Sequence, residues 1–137
     1  MTADASRTDD NVAMLKGLYD HFLKGEWDQV MAMLDPEFEV TEADSLPYGG
    51  RHKGADGLMH VVIGLGANYD NIQLSDFEVV GGGDTVIGLF TFSADAKATG
   101  RPIKMRFCEH WKFRNGKIIL LEPFYFDTHA IHQALNS

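Results

Sequence analysis

Glu109 lies in the stretch Met105-Arg106-Phe107-Cys108-Glu109-His110-Trp111-Lys112-Phe113, where every second residue is large and apolar except the acid itself. On a strand, successive side chains point to opposite faces. Met105, Phe107, Glu109, Trp111 and Phe113 then share one face; Lys104, Arg106, Cys108, His110 and Lys112 share the other. A carboxylate among Phe and Trp is costly to ionise, so its pKa should rise. That makes Glu109 a candidate for acid–base work. Two blander readings stand beside it: a buried Arg or Lys pairs with the acid, or a bulge turns it outward.

Other reactive residues fall into no recognisable set. The six histidines do not have metal-ligand spacing. His129 and His132 are one turn apart on a short helix, and His52 and His60 fall near a loop, where they can face a pocket mouth. There is no HExxH and no Cys-rich pattern, so no metal is expected. Gly81-Gly82-Gly83 reads as a turn between strands rather than a phosphate loop, and there is no Gly-x-Ser-x-Gly elbow. Ser45 and Ser93 lack an obvious base. Cys108 is the sole cysteine. It reads as a small buried hydrophobe in a reducing compartment.

The net charge of −8 over 137 residues argues against nucleic acid and against a polybasic membrane surface. No window approaches the roughly 18 apolar residues of a membrane span. A cytoplasmic protein is the expectation, with residues 1–7 as a flexible N-terminus and residues 8–137 as one domain.

The elements that must position Glu109 follow from periodicity. Thr8-Asp9-Asp10 can cap a helix. Val12, Leu15, Tyr19, Phe22 and Leu23 recur at helical spacing up to Gly25. Trp27, Val30, Met31 and Leu34 give a second helix over about 26–34, stopped by Asp35-Pro36. Phe38 and Val40 mark a short strand, and residues 43–53 read as a loop. Leu58, Val61, Val62 and Leu65 mark a third helix. A meander follows, with strands over 72–80, 85–94, 103–113 and 117–126. Asn115-Gly116 is its strongest hairpin signal. A last helix covers about 128–135. Helices first and strands after is an α+β pattern, with helices packed on a curved antiparallel sheet.

This order resembles the nuclear transport factor 2-like superfamily, and within it the SnoaL-like and ketosteroid isomerase-like proteins. The resemblance rests on Leu18-Tyr19-Asp20-His21-Phe22-Leu23-Lys24-Gly25-Glu26-Trp27-Asp28 and on Leu34-Asp35-Pro36-Glu37-Phe38-Glu39-Val40. It rests also on Tyr48-Gly49-Gly50-Arg51-His52-Lys53-Gly54, on His110 through Ile118, and on Tyr125-Phe126-Asp127. It covers residues 10–135 and implies a strongly curved sheet forming a cone-shaped pocket.

For chemistry, the resemblance implies a neutral acid at Glu109 that donates to a developing oxyanion. It also implies a general base at Glu42. Read from its neighbours Glu37, Glu39 and Asp44 alone, Glu42 is instead a solvated loop acid. Tyr19, Phe22, Tyr48, His60, Phe90, Phe92, Phe107, Trp111 and Phe124 are the expected pocket walls. The family's first-helix tyrosine falls on Leu18, with Tyr19 one place along, which speaks against steroid-type isomerisation. The positions of the limonene epoxide hydrolase-like triad read Phe90, Phe92 and Phe124, which speaks against epoxide hydrolysis. The last-strand acid of SnoaL-like cyclases has Glu122 and Asp127 nearby, with the register open at Pro123.

The expected function is therefore cofactor-independent proton transfer (isomerase, cyclase or dehydratase) on a hydrophobic carbonyl-bearing compound. The alternative is a non-catalytic binding or assembly module of the same fold. A homodimer through the outer sheet face is implied, with Arg106, Cys108, His110 and Lys112 at or near the interface.

Overall fold

The computed structural model describes residues 2–136. Its elements are α1 (Thr2–Leu23), α2 (Trp27–Met31), β1 (Leu34–Glu42), β2 (Gly50–Lys53) and α3 (Gly54–Asn68). There follow β3 (Tyr69–Gly82), β4 (Thr85–Ala96), β5 (Pro102–Arg114), β6 (Lys117–Tyr125) and α4 (Thr128–Asn136).

The apolar stripe of α1 places Leu15, Leu18 and Tyr19 in the core. The helix stops in a Schellman arrangement. Gly25 takes φ 69°, while the Gly25 and Glu26 N–H groups reach back to the Phe22 and His21 carbonyls at 3.1 and 2.9 Å. Its start differs from the sequence reading. The helix begins at Thr2, ahead of the expected cap at Thr8-Asp9-Asp10. Thr8 does not cap it; its hydroxyl accepts the Gly83 N–H at 2.8 Å and ties α1 to the turn between β3 and β4.

Long-range pairing also overrides two local signals. α2 ends at Met31 rather than Leu34 because the Met33 carbonyl accepts the Ile118 N–H at 3.0 Å and Leu34 pairs with Ile118. β1 therefore begins four residues before Phe38 and carries Pro36 within an irregular stretch of its pairing with β6. Part of the expected loop over 43–53 is also strand: β2 pairs antiparallel with β1, from Glu39↔Lys53 to Glu42↔Gly50.

The strands form one open, six-stranded sheet in the order β2-β1-β6-β5-β4-β3. It is mixed rather than wholly antiparallel, because β1 and β6 run parallel. Parallel neighbours need a long crossover, and here that crossover is most of the chain. Asn115 and Gly116 take φ 51° and 77° in the β5–β6 hairpin, the left-handed pair that a two-residue turn requires. Pro123 lies two places beyond the last β1 partner of β6, Leu121. There only β5 flanks the strand, an edge situation that tolerates the missing N–H. Among the described residues no helix is long and apolar enough to cross a membrane.

The inner face of the sheet carries Phe38, Val40, Val86, Phe90, Phe107 and Trp111, all buried beneath α1 and α3. This packing is the shell of the candidate site.

Candidate active site

Alternation along β5 turns Phe107, Glu109, Trp111 and Phe113 inward, with Phe107, Trp111 and Phe113 buried. Glu109 is half-buried and borders an internal cavity. Among the described residues no basic side chain pairs with it. Its partner is Tyr19 of α1, whose hydroxyl donates to Glu109 Oε1 at 2.8 Å. Trp111 Nε1 donates to the same Tyr19 hydroxyl at 3.0 Å. The indole N–H can only donate, so it fixes the direction of the row: Trp111 to Tyr19 to Glu109. Leu18, the position expected to match the family's first-helix tyrosine, is buried; the tyrosine that meets Glu109 is Tyr19, one place along. Opposite Glu109 on β4 stands Gly88. A Cβ there would run into the Tyr19 hydroxyl, so the glycine opens the space that the hydroxyl occupies.

Glu42 is not a solvated loop acid. β2 pairs back on β1 and extends it to Glu42, which is only 4% exposed. Its Oε1 is buried with no hydrogen-bond partner. Tyr125 lines the same cavity as Glu42. Tyr125 in turn lies 2.9 Å from the Tyr48 hydroxyl, which lies 2.9 Å from that of Tyr69.

Burial pushes Glu42 up to about 8; the nearby Tyr125 hydroxyl opposes this, and the charge of Glu109 adds to it. Burial likewise pushes Glu109 up to about 7, against the pull of Tyr19. The Tyr19 phenol is itself raised by burial and by the neighbouring carboxyl, so it remains a donor.

Both acids line one cavity of about 70 Å³. Tyr19, Phe22, Phe90, Phe92, Phe107 and Trp111 are among its walls. Three residues expected on the walls stand elsewhere. Tyr48 is buried behind Tyr125, holding its hydroxyl. His60 is exposed on α3 and packs against His52 with ring centroids 4.5 Å apart. Phe124 is 57% exposed, because β6 turns it to the outer face, beside an open depression of about 420 Å³ that Glu42 and Tyr125 also border. Leu65, Ile72, Leu74, Leu121 and Tyr125 line the cavity as well. Tyr125 and Leu121 share the inward phase of β6, so alternation on that strand was the signal for them. The part of Tyr69 has no signal in the sequence.

No Lys, Arg or His lines the cavity. Among the described residues no three His, Cys, Asp or Glu stand close enough together to hold a metal ion. An acid pair in an apolar cavity can hold, give and take protons near neutral pH.

The fold and cavity define a protein of the nuclear transport factor 2-like type. The family model for the SnoaL-like domain matches residues 15–121, and the chain belongs to that family. An NTF2-like protein from Burkholderia thailandensis is 27% identical, with a TM-score of 0.85 over 93% of this chain and 98% of that one. TerC, co-crystallised with polyporic acid, is 21% identical, with a TM-score of 0.82 over 93% and 99%. A protein from Xanthomonas campestris named as a candidate polyketide cyclase is 17% identical, with a TM-score of 0.80 over 95% and 99%. At such low identity the last two show the fold alone. No curated protein matches the chain in sequence.

Proposed function

We propose that the cavity carries out proton transfer on an uncharged, hydrophobic, carbonyl-bearing molecule, as an isomerase, cyclase or dehydratase. The observation that carries this reading is the pair of acids, Glu42 and Glu109, in one apolar cavity with raised pKa values of about 8 and about 7. The absence of a basic wall disfavours an anionic substrate. In the reacting form Glu42 is a carboxylate and takes a proton from the carbon beside the carbonyl. The C–H electron pair moves into the new C–C double bond. The carbonyl oxygen becomes an enolate, and neutral Glu109 donates a hydrogen bond to it. Returning the proton at another carbon isomerises the substrate; passing it from Glu42 to a β-hydroxyl, whose C–O bond then breaks as the enolate collapses to the unsaturated carbonyl, releases water and dehydrates it.

The two acids are coupled, so they titrate as a pair. Burial raises both, so the pair is partly protonated near pH 7, with the remaining proton mainly on Glu42 and in a minor form on Glu109. Turnover draws on the form with the proton on Glu109.

The test is exchange of α-hydrogens of cyclic ketones in D2O, followed by NMR. Glu42→Gln is expected to abolish exchange. Glu109→Gln, which keeps a weaker donor, is expected to slow it by about 10²-fold. If the sizes reverse, Glu109 is the base. If neither variant alters exchange, the reading fails.

A second reading is a non-catalytic small-molecule-binding or dimeric assembly module. The cavity's about 70 Å³ favours the assembly form of this reading, since pockets for small molecules span about 300–1,000 Å³. We propose in either case a homodimer through the outer sheet face, where Phe124 is 57% exposed.

A further inference from the structure

We infer that Trp111 is a positioning residue for Glu109 and acts through Tyr19: its indole N–H holds the Tyr19 oxygen, so that the one phenol proton goes to Glu109 Oε1 and not into the cavity. The substrate oxygen then meets one donor, the proton on Glu109 Oε2, and not two. The inference deepens the proton-transfer reading and rests on it for its use in turnover.

Glu109 and Trp111 are two places apart on one face of β5, a span of ~7 Å along the strand. The Tyr19 hydroxyl bridges that span, 2.8 Å from Glu109 Oε1 and 3.0 Å from Trp111 Nε1. Gly88, opposite Glu109 on β4, gives the oxygen its space. Trp111 packs edge-on to the Tyr19 ring with centroids 6.0 Å apart, and Phe77 and Phe90 lie against the same ring at 5.1 and 5.8 Å. Tyr19 and Trp111 are both buried, so bulk water serves neither polar group. An indole N–H can only donate, and a phenol has one proton to give. Tyr19 has no other hydrogen-bond partner among the described residues. Turned into the cavity, its proton would leave Oε1 without a donor.

Each donor in such a row strengthens the next. The Trp111 bond draws electron density from the Tyr19 oxygen and makes its proton the better donor. A neutral Glu109 that accepts at Oε1 is in turn the better donor through its own hydroxyl, which is the property an enolate oxygen draws on. Few titratable side chains face Glu109 across the cavity. Tyr19 comes from α1, Glu42 from β1 and Tyr125 from β6, while α2, α3, β3 and β4 bring only Val, Leu, Ile and Phe. Cys108 and His110, the neighbours of Glu109 on β5, are turned to the outer face, where His110 meets Glu122 at 2.8 Å.

The test is a carboxyl-labelled NMR titration of Glu109 in the Glu42→Gln background, where it ionises alone. Tyr19→Phe removes the bond that holds Glu109 down and is expected to raise its pKa by ~1. Trp111→Phe keeps an aromatic ring but loses the N–H, and is expected to give a smaller rise of ~0.3. Water admitted beside the smaller ring would move the value the other way. Added to Tyr19→Phe, Trp111→Phe is expected to change nothing further, because it acts only through the phenol. In the unaltered protein the Trp111 indole N–H resonance is expected to move as Glu109 titrates, and to stop doing so in Tyr19→Phe. Trp27, the other tryptophan, is the control. The indole readout serves also if Trp111→Phe does not fold. A Glu109 pKa that Trp111→Phe leaves unchanged or lowers overturns the inference. So does an equal rise with and without Tyr19, or an indole resonance that ignores Glu109 or still follows it in Tyr19→Phe. These readouts need no substrate. Titrations as expected with no α-hydrogen exchange in the unaltered protein would refute the proton-transfer reading alone.

Discussion

A carboxyl whose pKa is raised on folding makes the folded state the tighter proton binder. Glu42 and Glu109 move from the unfolded value of ~4.3 up to about 8 and about 7. Between those limits the native state holds protons that the unfolded chain has released, so stability falls as pH rises through the window. The expected outcome is greatest stability near pH ~5 and a loss of several kcal/mol by pH 8. Glu42→Gln should match the unaltered protein at pH 5 and exceed it at pH 8 in urea denaturation. Equal slopes for both proteins would show that Glu42 ionises freely. Of the two acids, Glu109 was legible from its own surroundings, because a lone acid on an apolar face of a strand has few alternatives. Glu42 was not: its neighbours read as a polar loop, and its burial depends on β2, which the glycine-rich text hides. Tyr19 was read as a pocket wall; its bond to Glu109 was not legible, since spacing along α1 does not say which residue of β5 it meets.

At the scale of elements, the site depends on how closely α1 lies on β4. Gly88 sets that distance, because a methyl group there would occupy the position of the Tyr19 hydroxyl. Gly88→Ala is expected to push the Tyr19 ring away at a cost of about 1–3 kcal/mol of stability. It should also raise the Glu109 pKa further, since the Tyr19 bond that lowers it is lost. Thermal unfolding and carboxyl titration of the variant would check both; a normal Glu109 titration would mean that Tyr19 does not set its proton affinity. The strands of the meander were readable because alternation and the Asn115-Gly116 turn are local signals. The start of β1, the whole of β2 and the parallel β1–β6 pairing were not, because each is decided by a partner far away in sequence.

At the scale of the whole molecule, the outer face of the sheet is the surface left uncovered. Phe124 and Phe126 are 57% and 83% exposed there. Cys108 faces the same way, paired in register with Leu89 and Phe124. Arg106 and His110 are already engaged within the chain, with Glu78 at 3.2 Å and Glu122 at 2.8 Å. If two copies associate through this face, Phe124→Lys is expected to shift sedimentation from dimer to monomer while the Glu109 titration stays as it was. A monomer in the unaltered protein would remove the dimer.

The cavity's size has a consequence for the time course of binding. At about 70 Å³ it holds the volume of roughly two water molecules. A ring system needs more room than that, so side chains that line the cavity must move before it enters. If that movement precedes contact, the observed rate of association levels off at high ligand concentration. The plateau is then the opening rate of the protein, the same for every ligand that fits.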